Sequence, residues 1–472
     1  MTNFDFDPDA RSDIWNRLIE ELEDYSRKAE ALPVSPTLDQ QKIRQFVNRL
    51  PFETPVSPDA ALGHVIEGLK KYAVHTPHPQ YYGLFNPRPA FPGILADTIT
   101  AVYNPQMAAW SHAPFAVEAE NRVIRELGVK FGYPEPTVDG TFTSGGAEAN
   151  QTALLCALNR KFPEYAVGGV RRIDKKPVLY VSAESHHSLI KAAGTAGIGR
   201  DAVRTIEVGP HQQMKPDALR AQIEADLAEN CAPVMVTATM GTTGTGAIDN
   251  IGPIAEIAEE YGLWLHADAA YGGAVALSGK YRGLIDGIHL ADSITFDAHK
   301  WISVPMGAGI FLTRHPDILS RTFRITADYM PKEAGGMQVT DPYTHSLQWS
   351  RRFTGLKVYL TLLMFGWEGL DELIGRQIET GNRLRRELEG AGWTIFNKTP
   401  LPIVCFGREY YREQPGAAME MCNKVLESGR AWISVYKTGG VNALRACITN
   451  YATDAESVAG LVETLGEVEK RG

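Results

Sequence analysis

The spacing of apolar positions divides the chain into three stretches. Residues 12–32 place Ile14, Leu18, Ile19, Leu22 and Tyr25 among charged positions, the 3.6-residue period of an amphipathic helix that needs a partner surface. A proline-rich passage follows, with Pro51, Pro55, Pro58, Pro77, Pro79, Pro87, Pro89 and Pro92, and reads as an extended arm. From Phe142 to Arg314 the period changes. Short β-type runs (Pro177–Ser182, Pro233–Thr239, Leu263–Asp268, Ser293–Phe296, Gly309–Thr313) alternate with helical stretches such as Pro216–Asn230 and Ile251–Tyr261, which predicts parallel strands under covering helices. Beyond Ser350 the pattern predicts long helices over Gly355–Gly369 and Leu370–Gly390, then short strands near Pro402–Phe406 and Ala443–Thr449. The expected organisation is an N-terminal helical arm (1–75), a large α/β domain with a mostly parallel central sheet (76–350) and a small α+β C-terminal domain (351–472).

Composition narrows the function classes. With 472 residues and 44% apolar content the chain can bury a large core. Its net charge of -9, from 56 acidic and 47 basic residues, comes without a basic stripe, so nucleic acid is not an expected partner. The first nine residues hold three Asp and no apolar run, and the longest apolar stretches, such as Tyr359–Phe365, fall far short of a bilayer span. A cytoplasmic protein without membrane contact is expected. Five scattered cysteines show no CxxC pair, so a metal site is not expected, and they read as small buried hydrophobes in a reducing compartment.

Four patterns stand at predicted strand ends, where open α/β sheets place their ligands. Thr143-Ser144-Gly145-Gly146-Ala147-Glu148-Ala149-Asn150 is a glycine-bearing turn opening a helix, and free amides there suit a phosphate. An ordinary helix entry accounts for such a turn equally well. Trp264-Leu265-His266-Ala267-Asp268-Ala269-Ala270-Tyr271-Gly272-Gly273 runs an apolar strand into an acid followed by small residues. A carboxylate at that depth needs a cation, such as a protonated pyridine nitrogen, and the small residues leave room for a flat ring; an Asp capping the next turn is the plainer alternative. The run from Asp292 to Trp301 ends another buried strand in His299-Lys300, whose amine can form an imine with an aldehyde, although an isolated Lys is more often a solvated surface residue. Ser185-His186-His187-Ser188 follows the strand PVLYVS and offers an imidazole to lie on a ring, or else a solvated His pair.

These motifs, in this order, resemble those of the group II pyridoxal-phosphate (PLP) decarboxylases, which act on aromatic amino acids, histidine, glutamate and tyrosine, and the similarity covers nearly the whole chain. The resemblance implies a type I aminotransferase-like fold, a homodimer, and a lyase that releases CO2 from an L-amino acid. It implies Lys300 as the Schiff-base lysine, Asp268 as partner of the pyridine nitrogen, Ala270 against the ring and His187 stacked on it. Gly146 and Ala147 match the phosphate loop, Thr243 and His299 match cofactor positions, and Tyr329 falls where the family has a catalytic tyrosine. Phe85 and Trp110 match the aromatic substrate pocket. Three departures stand out: Ala147 where many members carry a hydroxyl, Asp297 where the animal aromatic enzymes have Asn, and Thr76, Leu84, Gln106 and Ala108 where larger side chains are usual. The segment from Thr76 to Pro114 offers Arg88 as its one cation for an acidic substrate, so an aromatic amino acid is the first expectation. Glutamate, aspartate and diaminobutyrate are the alternatives, followed by an oxidative aldehyde synthase and a catalytically silent PLP-binding protein.

Overall fold

The computed structural model describes residues 4–325, 337 and 339–470. The chain opens with α1 (Pro8–Lys28), where Pro8 occupies the first turn and the Asp7 carboxylate accepts from the Asp9 and Ala10 amides at 3.1 and 3.0 Å. None of its residues is buried. It is held by surface contacts, among them Arg17 with Asp59, Lys70 with Glu21 at 3.0 Å, and Tyr25 Oη with His75 Nδ1 at 3.0 Å.

The proline-rich passage is not a continuous extended arm. After α2 (Gln40–Val47) it carries α3 (Pro58–Tyr72) and runs into α4 (Phe91–Tyr103), followed by α5 (Pro114–Lys130). Pro58, Pro92 and Pro114 each lie in the first turn, where the missing N–H has no intrahelical acceptor to serve, so they start helices instead of breaking them. Between α3 and α4, residues 73–90 are irregular, with turns at 76–77 and 79–80. There Tyr82 donates its amide to Trp432 O and accepts from Cys447 N, joining this stretch to the C-terminal part of the chain.

The large sheet follows in the order β1 (Asp139–Thr143), α6 (Gly146–Lys161), α7 (Tyr165–Gly168), β2 (Pro177–Ser182), α8 (Ser188–Thr195), β3 (Val203–Ile206), α9 (Pro216–Ala228), β4 (Ala232–Thr239), α10 (Ile251–Glu260), β5 (Trp264–Asp268), β6 (Ser293–Asp297), β7 (Gly309–Thr313) and α11 (Ile318–Phe323). Its strand order is β1-β7-β6-β5-β4-β2-β3. Every residue of β2, β4, β5, β6 and β7 is buried, as expected of strands covered on both faces. The sheet is mostly parallel, with one correction: β7 runs antiparallel to both β1 and β6. Residues 298–308 join β6 to β7 without a crossover helix, and a parallel pairing would need one.

In the C-terminal part, α12 (Leu356–Gly390) leads into β8 (Thr394–Ile395), β9 (Ile403–Gly407), α13 (Ala417–Glu427), β10 (Ser434–Thr438), β11 (Val441–Cys447) and α14 (Ala455–Lys470). The four strands form an antiparallel sheet in the order β10-β11-β9-β8. The two helices expected over 355–390 are present as the two halves of α12, but they meet at Gly366 and not at 369/370; its φ of 63° lies outside the helical region and is open to glycine.

Candidate active site

The four motifs meet at one edge of the large sheet, beyond the carboxyl ends of β1, β2, β5 and β6. Lys300 follows the end of β6, and its Nζ lies 2.9 Å from Asp297 Oδ2. Asp297 is almost fully buried, and its other oxygen, Oδ1, has no hydrogen-bond partner among the described residues. His299 Nε2 lies 3.8 Å from Asp297 Oδ2, while its Nδ1 accepts the Ala308 amide at 3.1 Å, so the ring proton belongs on Nε2, towards Asp297. Burial pushes the His299 imidazole below its ordinary value, opposed by Asp297 and reinforced by Lys300. The Lys300 ammonium also lies 5.5 Å from the centre of the Phe85 ring, which stacks on Tyr271 at 4.3 Å.

Beside this pair, the turn before α6 brings bare backbone close to the sheet edge. A Cβ on Gly146 would come within 2.9 Å of Asp297 Oδ2 and 3.3 Å of Ala270 Cβ, so glycine is what lets the helix start there. No described hydrogen bond uses the backbone N–H of Gly145, Gly146 or Ala147. Unused amides at a helix start attract an anion.

Asp268 ends β5, 5% exposed. Its Oδ1 accepts the Ala270 amide at 3.2 Å and its Oδ2 accepts Asn150 Nδ2 at 2.9 Å. The same Nδ2 donates to Ser188 Oγ at 2.9 Å, and Ser188 reaches His186 Nδ1 through its Oγ at 2.8 Å and its amide at 3.2 Å. His186 is therefore wired to the carboxylate that anchors this edge. Although solvent reaches one side of it, the protein around its other side pushes the imidazole below its ordinary value, with Asp268 and Asp297 opposing and Lys300 and His187 adding to the shift.

His187, the expected stacked imidazole, is not joined to this hydrogen-bonded chain. Like His186 it is exposed; it stands at the start of α8, and among the described hydrogen bonds only its backbone carbonyl takes part, accepting from Lys191 N at 3.1 Å. Two adjacent residues entering a helix point in different directions, and the described hydrogen bonds select His186. Thr243 lies on the loop after β4, where Arg445 of β11 donates to Thr243 O at 2.5 Å and to Gly244 O at 3.0 Å. Phe85 and Trp110 do not form one aromatic clamp within the chain: Phe85 belongs to the main core, whereas Trp110 packs on the separate cluster of Ala96, Met107 and Phe353 and donates its indole N–H to Glu118 at 2.8 Å. Arg88 is engaged by Ser26 O at 2.9 Å and faces Glu30. Tyr329 lies outside the described residues. Sequence reasoning assigned no role to Asn150, Ser188 or Arg445. Asn150 stood inside a quoted motif, and its polarity at a buried helix position was the available signal.

The residues present fit a phosphorylated pyridine aldehyde. Unused amides before α6 suit its phosphate, the Lys300 amine suits its aldehyde, the small side chain of Ala270 leaves room for its ring, and a buried, hydrogen-bonded Asp268 suits a protonated ring nitrogen.

Residues 45–409 match the model of the pyridoxal-dependent decarboxylase conserved domain. The chain is 28% identical over 445 residues to the aromatic-L-amino-acid decarboxylase of Bacillus atrophaeus, covering 92% of this chain and 90% of that protein. It is 28% identical over 441 residues to the acidic amino acid decarboxylase GADL1 of Mus musculus, covering 90% and 80%. In fold it is similar to the crystal structure of Oryza sativa TDC with PLP and tryptamine, with a TM-score of 0.93 and 21% identity over 100% of this chain and 99% of the other.

Proposed function

Because the chain belongs to the pyridoxal-dependent decarboxylases, PLP-dependent carboxy-lyases of the type I fold, we propose that it decarboxylates an aromatic L-amino acid to the corresponding amine. The observation that carries the aromatic reading concerns cations. Arg88, the one cation offered by the segment from Thr76 to Pro114, is engaged on Ser26 and Glu30, and Arg445, whose guanidinium lies 5.2 Å from the centre of the Phe85 ring, is hydrogen-bonded to Thr243 O, Gly244 O and Ser434 Oγ. Phe85, by contrast, presents apolar surface beside Lys300.

PLP supplies an electron sink for the pair of electrons left when CO2 departs. In our reading Lys300 attaches it through Nζ, and Asp297 holds that amine at the sheet edge beforehand. The Gly146 and Ala147 amides take the phosphate, with His299 Nε2 beside them. Asp268 would keep a proton on the ring nitrogen, the small Ala270 would leave room for the ring, and His186, in place of His187, would supply the imidazole beside it. Thr243 lines the cofactor site from the loop that Arg445 pins, while Phe85 and Trp110 serve the substrate, the latter from a separate cluster. A homodimer in the cytosol completes the proposal. Its support is an N-terminal helix with no buried residue and five buried free cysteines; among the described residues no helix is long and apolar enough to cross a membrane.

The test is CO2 and amine release from each proteinogenic L-amino acid by the PLP-loaded protein. We expect kcat/KM for at least one aromatic substrate to exceed those for glutamate and aspartate by at least about 100-fold, the discrimination expected when a buried carboxylate finds no cation. Release from acidic substrates alone would reverse the substrate assignment, and aldehyde in place of amine would reverse the reaction outcome.

A further inference from the structure

Behind Asp268 lies a file of buried polar groups that the proposed chemistry does not use. Trp264 begins β5, and its indole N–H, which can only donate, points to Ser293 Oγ at 2.8 Å. The Ser293 hydroxyl proton is thereby free for His266 Nδ1, also at 2.8 Å. That leaves the His266 proton on Nε2, which donates to Asn150 Oδ1 at 3.0 Å; Thr295 Oγ1 donates to the same oxygen at 2.7 Å. With Oδ1 taken by two donors, the Asn150 amide nitrogen has one direction left, and it meets Asp268 Oδ2 at 2.9 Å and Ser188 Oγ at 2.9 Å. His266, Ser293 and Thr295 are fully buried and Asn150 is 1% exposed. From Trp264 through Ser293, His266 and Asn150 the hydrogen bonds point one way, towards the Asp268 carboxylate, and Thr295 joins from β6, its Oγ1 also 3.2 Å from His266 Nε2. Such chains polarise one another, and a low-dielectric surround makes a reversed member expensive.

We propose that Asn150 is a positioning residue for the cofactor: its amide aims the Asp268 carboxylate at the ring nitrogen, and the Trp264–Ser293–His266 file fixes which way that amide faces. This rests on the proposed role of Asp268. The same amide splits its two protons between Asp268 and, through Ser188, His186, so one residue sets the groups assigned to the ring nitrogen and to the ring face. The other charged or titratable groups around this point are His266 on the same strand, His186 and His187 before α8, and Lys300 and Asp297 from the end of β6. Burial holds His266 in its neutral form, as the file requires.

Asn150→Asp separates positioning from packing because it keeps the shape and the acceptor that serves His266 and Thr295 but deletes the donor. At low pH the introduced carboxyl retains a proton and donates to Asp268 much as the amide does; at high pH two carboxylates oppose each other. We expect the PLP dissociation constant of the full-length variant to stay within about 2-fold of the parent's at about pH 6 and to exceed it by at least about 10-fold at about pH 9. Ser188→Ala, which touches only the His186 branch, should give a ratio that does not change with pH. An Asn150→Asp loss that is equal at both pH values, or absent at both, overturns the proposal. If that variant does not fold, Asn150→Ala tests the same bond: affinity should fall about 10-fold or more at both pH values, with the bound cofactor's absorbance moving to that of the unprotonated ring, and an unchanged spectrum overturns the proposal. Asp268→Asn is the control on the underlying reading. If it leaves the spectrum as in the parent, the role of Asp268 falls; if it changes the spectrum and Asn150→Asp shows no pH-dependent loss, only the inference about Asn150 falls.

Discussion

His186 and His187 are chemically identical neighbours with different surroundings. The backbone N–H of Ser188 can only donate, so the His186 Nδ1 it meets at 3.2 Å must accept, and the ring proton is fixed on Nε2. Crowding by the protein favours this neutral form. His187 has none of these constraints on its side chain among the described hydrogen bonds. We therefore expect His186→Ala to lower kcat by about 100-fold and His187→Ala to change it by less than about 2-fold, measured at saturating PLP; the reverse order would return the role to His187. At this scale the sequence revealed contiguous chemistry and missed assembled chemistry. Lys300 and Asp268 stood out because each ends its own apolar strand. Asn150 did not, because its partners His266, Asp268 and Thr295 lie 116, 118 and 145 positions away. The two-histidine ambiguity had no local solution either, since both residues precede the same helix start.

Among the elements, β1 begins with an acidic residue in unusual surroundings. Its first residue, Asp139, has Oδ1 on the Gly140 amide at 2.7 Å, while the buried Oδ2 has no hydrogen bond and lies 3.7 Å from His345 Nε2, too far to make one. Burial pushes the Asp139 carboxyl up to about 7 and the His345 imidazole down to about 4, so both groups favour their neutral forms. The sign follows from linkage. The folded Asp139 binds its proton more tightly than the unfolded residue at 3.8, so its contribution to stability falls as pH rises from about 4 to about 7 and is constant above. Asp139→Asn removes the buried charge, and we expect it to raise stability by about 1–3 kcal/mol above pH 7, with little gain near pH 4, in denaturant titrations of the PLP-loaded protein. A gain that did not depend on pH would show that Asp139 is ionised throughout. Elsewhere the short β-type runs located β2, β4, β5, β6 and β7 to within a residue or two, because strands buried on both faces are nearly continuous apolar runs. The helices α3 and α4 escaped notice because proline was read as a breaker at positions where it begins a helix. The direction of β7 was also hidden, since it depends on the path of residues 298–308 and leaves no mark in the strand's own composition.

As a whole molecule, the chain leaves large apolar side chains uncovered on adjacent helices. The side chains of Phe91, Val102 and Tyr103 on α4 are 57%, 66% and 81% exposed, and Leu363, Met364 and Phe365, at the break in the neighbouring α12, are more than half exposed. Trp15, Ile19 and Leu22 on α1 add to this surface, although α1 is tied to its own chain by exposed ion pairs that contribute at most about 1 kcal/mol each. Apolar patches on adjacent helices of this kind mark an interface, and a second copy of the chain is the partner proposed here. Phe91→Asp with Val102→Asp tests it without harming a monomer. Phe91 opens α4, where an acid suits the positive end of the helix dipole, and an acid near the other end costs under about 1 kcal/mol. Two introduced charges buried in an isologous contact would each appear twice, and the contact could not satisfy them. We expect the parent to sediment at twice the chain mass and the double variant at the chain mass, with unchanged far-ultraviolet circular dichroism and less than about a tenth of the parent's turnover. A double variant that sediments with the parent would place the interface on another face, and a fully active monomeric parent would end the dimer proposal.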